Sequence, residues 1–145
     1  MQEKSISDER SILNGLGDFA RIVDRKQWNR IGEVFADDVT FNYGDGEEQQ
    51  GMAALRTQFT KYLELCGPSQ HLLGTIQLEL DGDTAVTRAY VQARHVGKDD
   101  KAHLCFDTNG EYTDRWARRA EGWRIVRREA RWDLFMGDSS VLFPS

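Results

Sequence analysis

The sequence predicts an α+β fold, with helices packed on one side of a mainly antiparallel sheet. Three observations predict it. Apolar residues recur at helical spacing from Ile12 to Val23. The hydrophobic period changes to two after Gly67-Pro68. Two turn signals, Asp81-Gly82-Asp83 and Ala120-Glu121-Gly122, each divide a pair of long alternating segments.

The first helix is predicted to begin near Ser5 or Ser7, either of which can cap it. Asp8 and Glu9 then sit in the first turn, where the helix dipole favours acidic groups. Ile12, Leu13, Leu16, Phe19, Ala20 and Val23 form its apolar face. A second helix is predicted over about 26–35, a strand over 39–43 and a third helix over 52–66, stopped by Gly67-Pro68. Strands come next over 71–80 and 84–96, joined at a glycine that accepts the positive φ of a tight hairpin. A second hairpin joins 104–119 to 123–134.

The 145 residues are predicted to form a single domain spanning 1–145. A chain of this length buries roughly two thirds of its unfolded surface, enough for a core and a modest cavity. There are 24 acidic and 19 basic residues, mixed along the chain, for a net charge of −5. Arg124, Arg127, Arg128 and Arg131 alternate with apolar residues as in a strand, so nucleic acid is not an expected partner. No apolar run opens the chain and no stretch of about 18 apolar residues occurs, so neither a signal peptide nor a membrane span is expected and the predicted location is cytoplasmic. Cys66 and Cys105 lack metal-ligand spacing and read as free buried thiols of a reducing compartment, with a disulfide as the alternative. No metal site is expected.

Asp24 is the first candidate for chemistry. It lies four residues after Ala20 and eight after Leu16, on the apolar face of the first helix. A carboxylate facing a core is costly unless paired. The alternatives are a frayed helix end in solvent or a pairing with Arg25. His71 opens a strand, where a structural histidine is the plain alternative. The hairpin turn places it opposite residues 92–95, a range that includes His95. His95 shares a strand face with the small residues Ala85, Thr87, Ala89, Val91 and Ala93, and so looks into space they leave open. In the second hairpin Arg128 falls opposite Asp114, Val126 near Trp116 and Ala130 near Tyr112, on an aromatic face. An Arg128–Asp114 pair that only satisfies itself is the alternative to a ligand-binding role.

These residues resemble the SnoaL-like branch of the nuclear-transport-factor-2-like superfamily. The stretch from Asp24 through Trp28 to Phe35-Ala-Asp-Asp-Val-Thr-Phe-Asn-Tyr43 is similar to the first catalytic region of the scytalone dehydratases, with Asp24 and Tyr43 at the matching separation. Gly110-Glu-Tyr112-Thr-Asp114 through Gly122-Trp123 to Arg128 resembles the last hairpin of the lindane dehydrochlorinases. The resemblance implies a cone of curved sheet closed by three helices. It implies Asp24 and His71 as a proton-abstracting pair with no metal or organic cofactor. It also implies a substrate pocket holding Tyr43, His95, Arg128, Phe19, Val23, Tyr112 and Trp116. The sequence departs from those relatives at Val23 and Phe19, where they carry a tyrosine and a polar residue.

The predicted activity is a dehydratase-type elimination on a small hydrophobic compound, ring-shaped ones included. In it His71 is the base, Tyr43 a donor to a carbonyl oxygen, His95 an acid for the departing hydroxide and Arg128 a hold on a polar end. Leu16 and Trp132 are expected to join the apolar lining. The alternatives are an isomerase or polyketide-cyclase-type enzyme sharing the same first step, and a non-catalytic domain binding a small ligand. Mixed apolar and basic outer strand faces, including Tyr90 and Ile125, and an apolar end at Val141-Leu142-Phe143-Pro144 predict a homo-oligomer, a trimer ahead of a dimer.

Overall fold

A computed structural model of the chain describes residues 2–143. The order is α1 (Gln2–Asp24), a 3-10 segment (Trp28–Glu33), β1 (Phe35–Asn42), β2 (Gln49–Gln50), α2 (Met52–Leu63), β3 (Ser69–Asp81), β4 (Thr84–Val96), β5 (Cys105–Arg119) and β6 (Gly122–Gly137). Short 3-10 turns lie at Asp99–Lys101 and Ser139–Val141. The six strands make one sheet, ordered β2-β1-β6-β5-β4-β3, antiparallel throughout except where β1 runs beside β6. The predicted architecture of three helical pieces on one curved sheet holds, and its form is a cone. Pro144 lies outside the described residues.

The apolar face of α1 is buried as its spacing requires, through Ile12, Leu16, Phe19, Ala20 and Val23. Leu13 is an exception and stays largely exposed. The helix starts at Gln2, earlier than the serines suggest. Asp8 thus lies inside the helix, and its carboxylate accepts Arg118 Nη1 and Nη2 at 2.9 and 2.7 Å and Trp123 Nε1 at 3.1 Å. That turn is therefore tied to the β5–β6 hairpin, not free at a helix end. The second helix is a short 3-10 segment; Val34 and Phe35 are buried beyond it, and β1 already begins at Phe35. Cys66 is buried and Cys105 is exposed, and both thiols are free; the expectation of two buried thiols fails for Cys105, which opens β5 facing outward.

The β3–β4 turn is as predicted, Asp81 pairing with Thr84 and Gly82 at φ +60°. The second hairpin contains two irregularities. Arg115 pairs with Arg127 but Trp116 pairs with Ile125, so Val126 is an extra residue on β6. Below this bulge Ile125 points into the core and is fully buried, which corrects the expectation that Val126 faces in and Ile125 out. Above it the predicted pairs Asp114–Arg128 and Tyr112–Ala130 stand. A second bulge, between Asn109 and Gly110, makes Asp133 the extra residue and turns both Trp132 and Phe135 toward the same hollow.

Candidate functional site

Asp24 ends α1 where the start of β3 crosses it. Its carboxylate accepts three hydrogen bonds from β3: Ser69 Oγ at 2.9 Å, the backbone N–H of His71 at 2.9 Å and His71 Nδ1 at 2.7 Å. The bond at Nδ1 leaves Nε2 as the free ring nitrogen. Phe19 stands edge-on to the imidazole, with centroids 6.0 Å apart. The two side chains expected to meet do so, and Arg25 takes no part.

His71 borders a cavity of about 180 Å³ inside the cone. An apolar protein cavity of about 150 Å³ holds a benzene ring, so the space suits one small ring. Seven predicted residues line it: Phe19, Val23, Tyr43, His71, His95, Tyr112 and Trp132. Four do not. Asp24 lies behind His71 and faces a surface groove between α1 and β3, as does Leu16. Trp116 is buried deeper in the cone, where it packs on Gly15 and donates to Thr87 Oγ1 at 2.9 Å.

Arg128 is the fourth. It points inward as predicted, but lies fully buried behind the cavity wall. Asp114 accepts its Nε and Nη2 at 2.7 and 2.8 Å, and the guanidinium carbon lies 4.1 and 4.0 Å from the ring centres of Phe19 and Tyr112. Burial opposes its charge most strongly, but the Asp114 carboxylate and the Tyr43 and Tyr112 phenols together outweigh it, and its pKa is raised. A guanidinium so paired and covered cannot grip a ligand directly. Its remaining contact is Nη1, which donates to the Tyr43 hydroxyl at 3.2 Å.

His95 faces His71 at right angles, with ring centres 5.8 Å apart. Its Nδ1 bonds the Phe106 carbonyl oxygen at 2.9 Å, so Nδ1 carries the proton. Burial lowers its pKa to about 4. Near neutral pH it is an uncharged acceptor, which removes the expected role of acid. Thr108 and Gln58 are polar lining residues that the sequence did not single out. Thr108 shares strand parity with Tyr112, the signal that would have found it. Gln58 lies on the same helix face as the buried Leu55 and next to Phe59.

Residues 4–129 match the family model of the SnoaL-like domain. The chain belongs to the SnoaL-like family. The resemblance to nuclear-transport-factor-2-like proteins holds with it. An uncharacterized protein of Mycobacterium tuberculosis is 28% identical to this SnoaL-like chain over 131 residues, covering 85% of it and 84% of the relative. A solved structure from Novosphingobium aromaticivorans, named as an aromatic ring hydroxylase, superposes with a TM-score of 0.82 at 28% identity, over 93% of this chain and 96% of that one. A second from the same species, named as a scytalone dehydratase, gives 0.84 at 18% identity over 94% and 91%. The hexachlorocyclohexane dehydrochlorinase of Novosphingobium barchaimii gives 0.82 at 15% identity over 100% and 99%. The last two are likenesses of fold. Among the described residues no helix is long and apolar enough to cross a membrane.

Proposed function

We propose that this SnoaL-like protein is a cofactor-independent lyase that eliminates water from a small hydrophobic, cyclic substrate. The observation that carries the reading is the Asp24–His71 pair, with the ring's free nitrogen at an apolar cavity. In the proposed reaction His71 Nε2 takes a proton from a carbon, and the C–H electron pair moves to form a double bond. The neighbouring C–O bond breaks, and the leaving hydroxide regains that proton from the imidazolium and departs as water. Asp24 fixes the ring tautomer and stabilises the cation formed on it. Phe19, Val23 and their neighbours exclude water, which strengthens that interaction. His95 accepts a hydrogen bond from a substrate hydroxyl.

An isomerase or a cyclase would share the first step and differ in the fate of the carbanion. A non-catalytic binding domain is disfavoured by the pairing of Asp24 with a histidine instead of an arginine. Copies of the chain are proposed to associate, a trimer ahead of a dimer. The test of the enzymatic reading is a thermal-shift screen of small hydroxylated ring compounds, with mass spectrometry of the stabilising ones in D₂O. Loss of water from a stabilising compound supports the lyase. Deuterium uptake without loss of water supports the isomerase, and neither result with any stabilising compound supports the binding domain.

A further inference from the structure

Gln58 breaks the pattern of its own helix. Along α2 the side chains of Leu55, Phe59 and Leu63 are buried, and Gln58 falls among them at 5% exposure. The spacing calls for an apolar residue there, and an amide held away from water is costly unless its polar atoms are used. One end is used: Gln49 Nε2, on β2, donates to Gln58 Oε1 at 3.3 Å. The other end has no protein partner among the described residues. No fully buried side-chain nitrogen or oxygen among those residues lacks a partner, so this end is open, and it opens on the cavity that Gln58 lines. A hydroxyl both donates and accepts, so it answers either end of an amide.

This amide meets the cavity from the side away from the histidines. β2 and β3 are the two edges of the sheet. Gln49 draws the Gln58 side chain toward β2, while His71 stands on β3 and His95 on the neighbouring β4, their ring centres 5.8 Å apart. The Phe106 carbonyl takes His95 Nδ1, which leaves Nε2 as an acceptor. The space between holds one small ring, at about 180 Å³. We infer that Gln58 is a specificity-determining residue, and that it receives a second hydroxyl of the substrate, across the ring from the hydroxyl at His95. The inference rests on the proposed elimination and narrows its substrate class to rings oxygenated at two opposite positions, the 1,4 arrangement. The hydroxyl beside the histidines is the one that leaves. The hydroxyl at Gln58 stays, and by holding it Gln58 fixes which carbon meets His71 Nε2. A ring without that hydroxyl would leave the buried amide unpaired, which is how a site built to hydrogen-bond a hydroxyl rejects the analogue lacking it.

The test measures binding to the full chain by NMR, with trans-1,4-cyclohexanediol and trans-1,2-cyclohexanediol as isomeric probes. The wild-type protein is expected to prefer the 1,4 isomer roughly 10-fold, the effect of one hydrogen bond made against one left unmet. Gln58→Leu abolishes the preference by weakening 1,4 binding alone. Gln58→Met, nearly as long as glutamine, does the same and keeps the reading independent of repacking around α2. The preference persists in His71→Ala, since His95 and Gln58 both remain. Turnover can fail there while the binding difference stands, which separates this inference from the dyad's role. No preference in the wild type, a preference that survives both Gln58 variants, or an equal loss of both isomers overturns it.

Discussion

The Asp24 carboxylate holds His71 at two points, the ring through Nδ1 at 2.7 Å and the backbone N–H at 2.9 Å. One group thereby sets both the tautomer of the imidazole and the place where β3 begins. Neither contact alone would do this, since a ring can swing about a fixed backbone. A base held at one point would sample orientations that do not face the cavity.

His71→Ala is expected to lower turnover on the true substrate by a factor on the order of 10²–10⁴, the usual worth of a positioned general base. Asp24→Ala is expected to add a structural effect, because it strands the half-buried Ser69 hydroxyl and the His71 N–H. Chemical denaturation should register roughly 1–3 kcal/mol for these lost bonds. An Asp24→Ala protein as active as wild type would remove the dyad from the mechanism.

His95 makes stability depend on pH in a stated direction. Its folded pKa, about 4, lies below its ordinary value of 6.5, so the unfolded chain takes up this proton first. The contribution is complete above about 6.5 and is lost as pH falls toward 4. The loss is on the order of 3 kcal/mol at most. Urea midpoints measured across this range should fall more steeply for wild type than for His95→Gln. Parallel curves would show that His95 already titrates normally.

Arg128 and Asp114 form a buried pair whose members depend on each other. Removing one charge leaves the other without a partner, which typically costs about 3–5 kcal/mol. Arg128→Met is therefore expected to lower the melting temperature sharply. Arg128→Met with Asp114→Leu should recover part of that loss, since replacing a whole buried pair is often neutral. A double variant no more stable than Arg128→Met would mean the aromatic stacking, not the charge, holds this layer together.

The outer sheet face carries Leu72, Tyr90, Leu134 and Met136, each more than half exposed, Met136 at 63%. Their combined apolar area is the reason to expect self-association. Sedimentation or light scattering should give a multiple of the 16.6 kDa chain mass. A single-chain mass that persists at tens of micromolar would refute the proposal. Glu at both Leu72 and Met136 should shift the mass downward if this face is the contact.

Much of this was legible from residue spacing. The periodicity of α1 placed Asp24 on a buried face, and the Asp81-Gly82-Asp83 turn gave a register that brings His71 opposite Ala93 and beside His95. Depth was not legible. Strand parity correctly turned Arg128 inward, but parity does not say how many layers lie between a side chain and a cavity, and here Phe19 and Tyr112 intervene. Faces also could not be traced past a bulge. Nothing in Arg124-Ile125-Val126-Arg127 signals an extra residue, because both Ile125 and Val126 suit a strand and either could face the core. The role of His95 turned on burial and a carbonyl partner from Phe106, neither of which the sequence displays.

The bulge at Val126 also bears on how such a pocket changes over generations. Regular alternation forbids residues three apart from sharing a face, yet Ile125 plugs the core and Arg128 enters the same interior. Both face inward because the bulge absorbs one residue between them. Losing the codon for 126 would set Ile125 and Arg128 two apart, where regular alternation keeps both inside and only the bend in β6 is lost. A single-residue deletion at the bulge is therefore a change this hairpin absorbs without rewriting the interior.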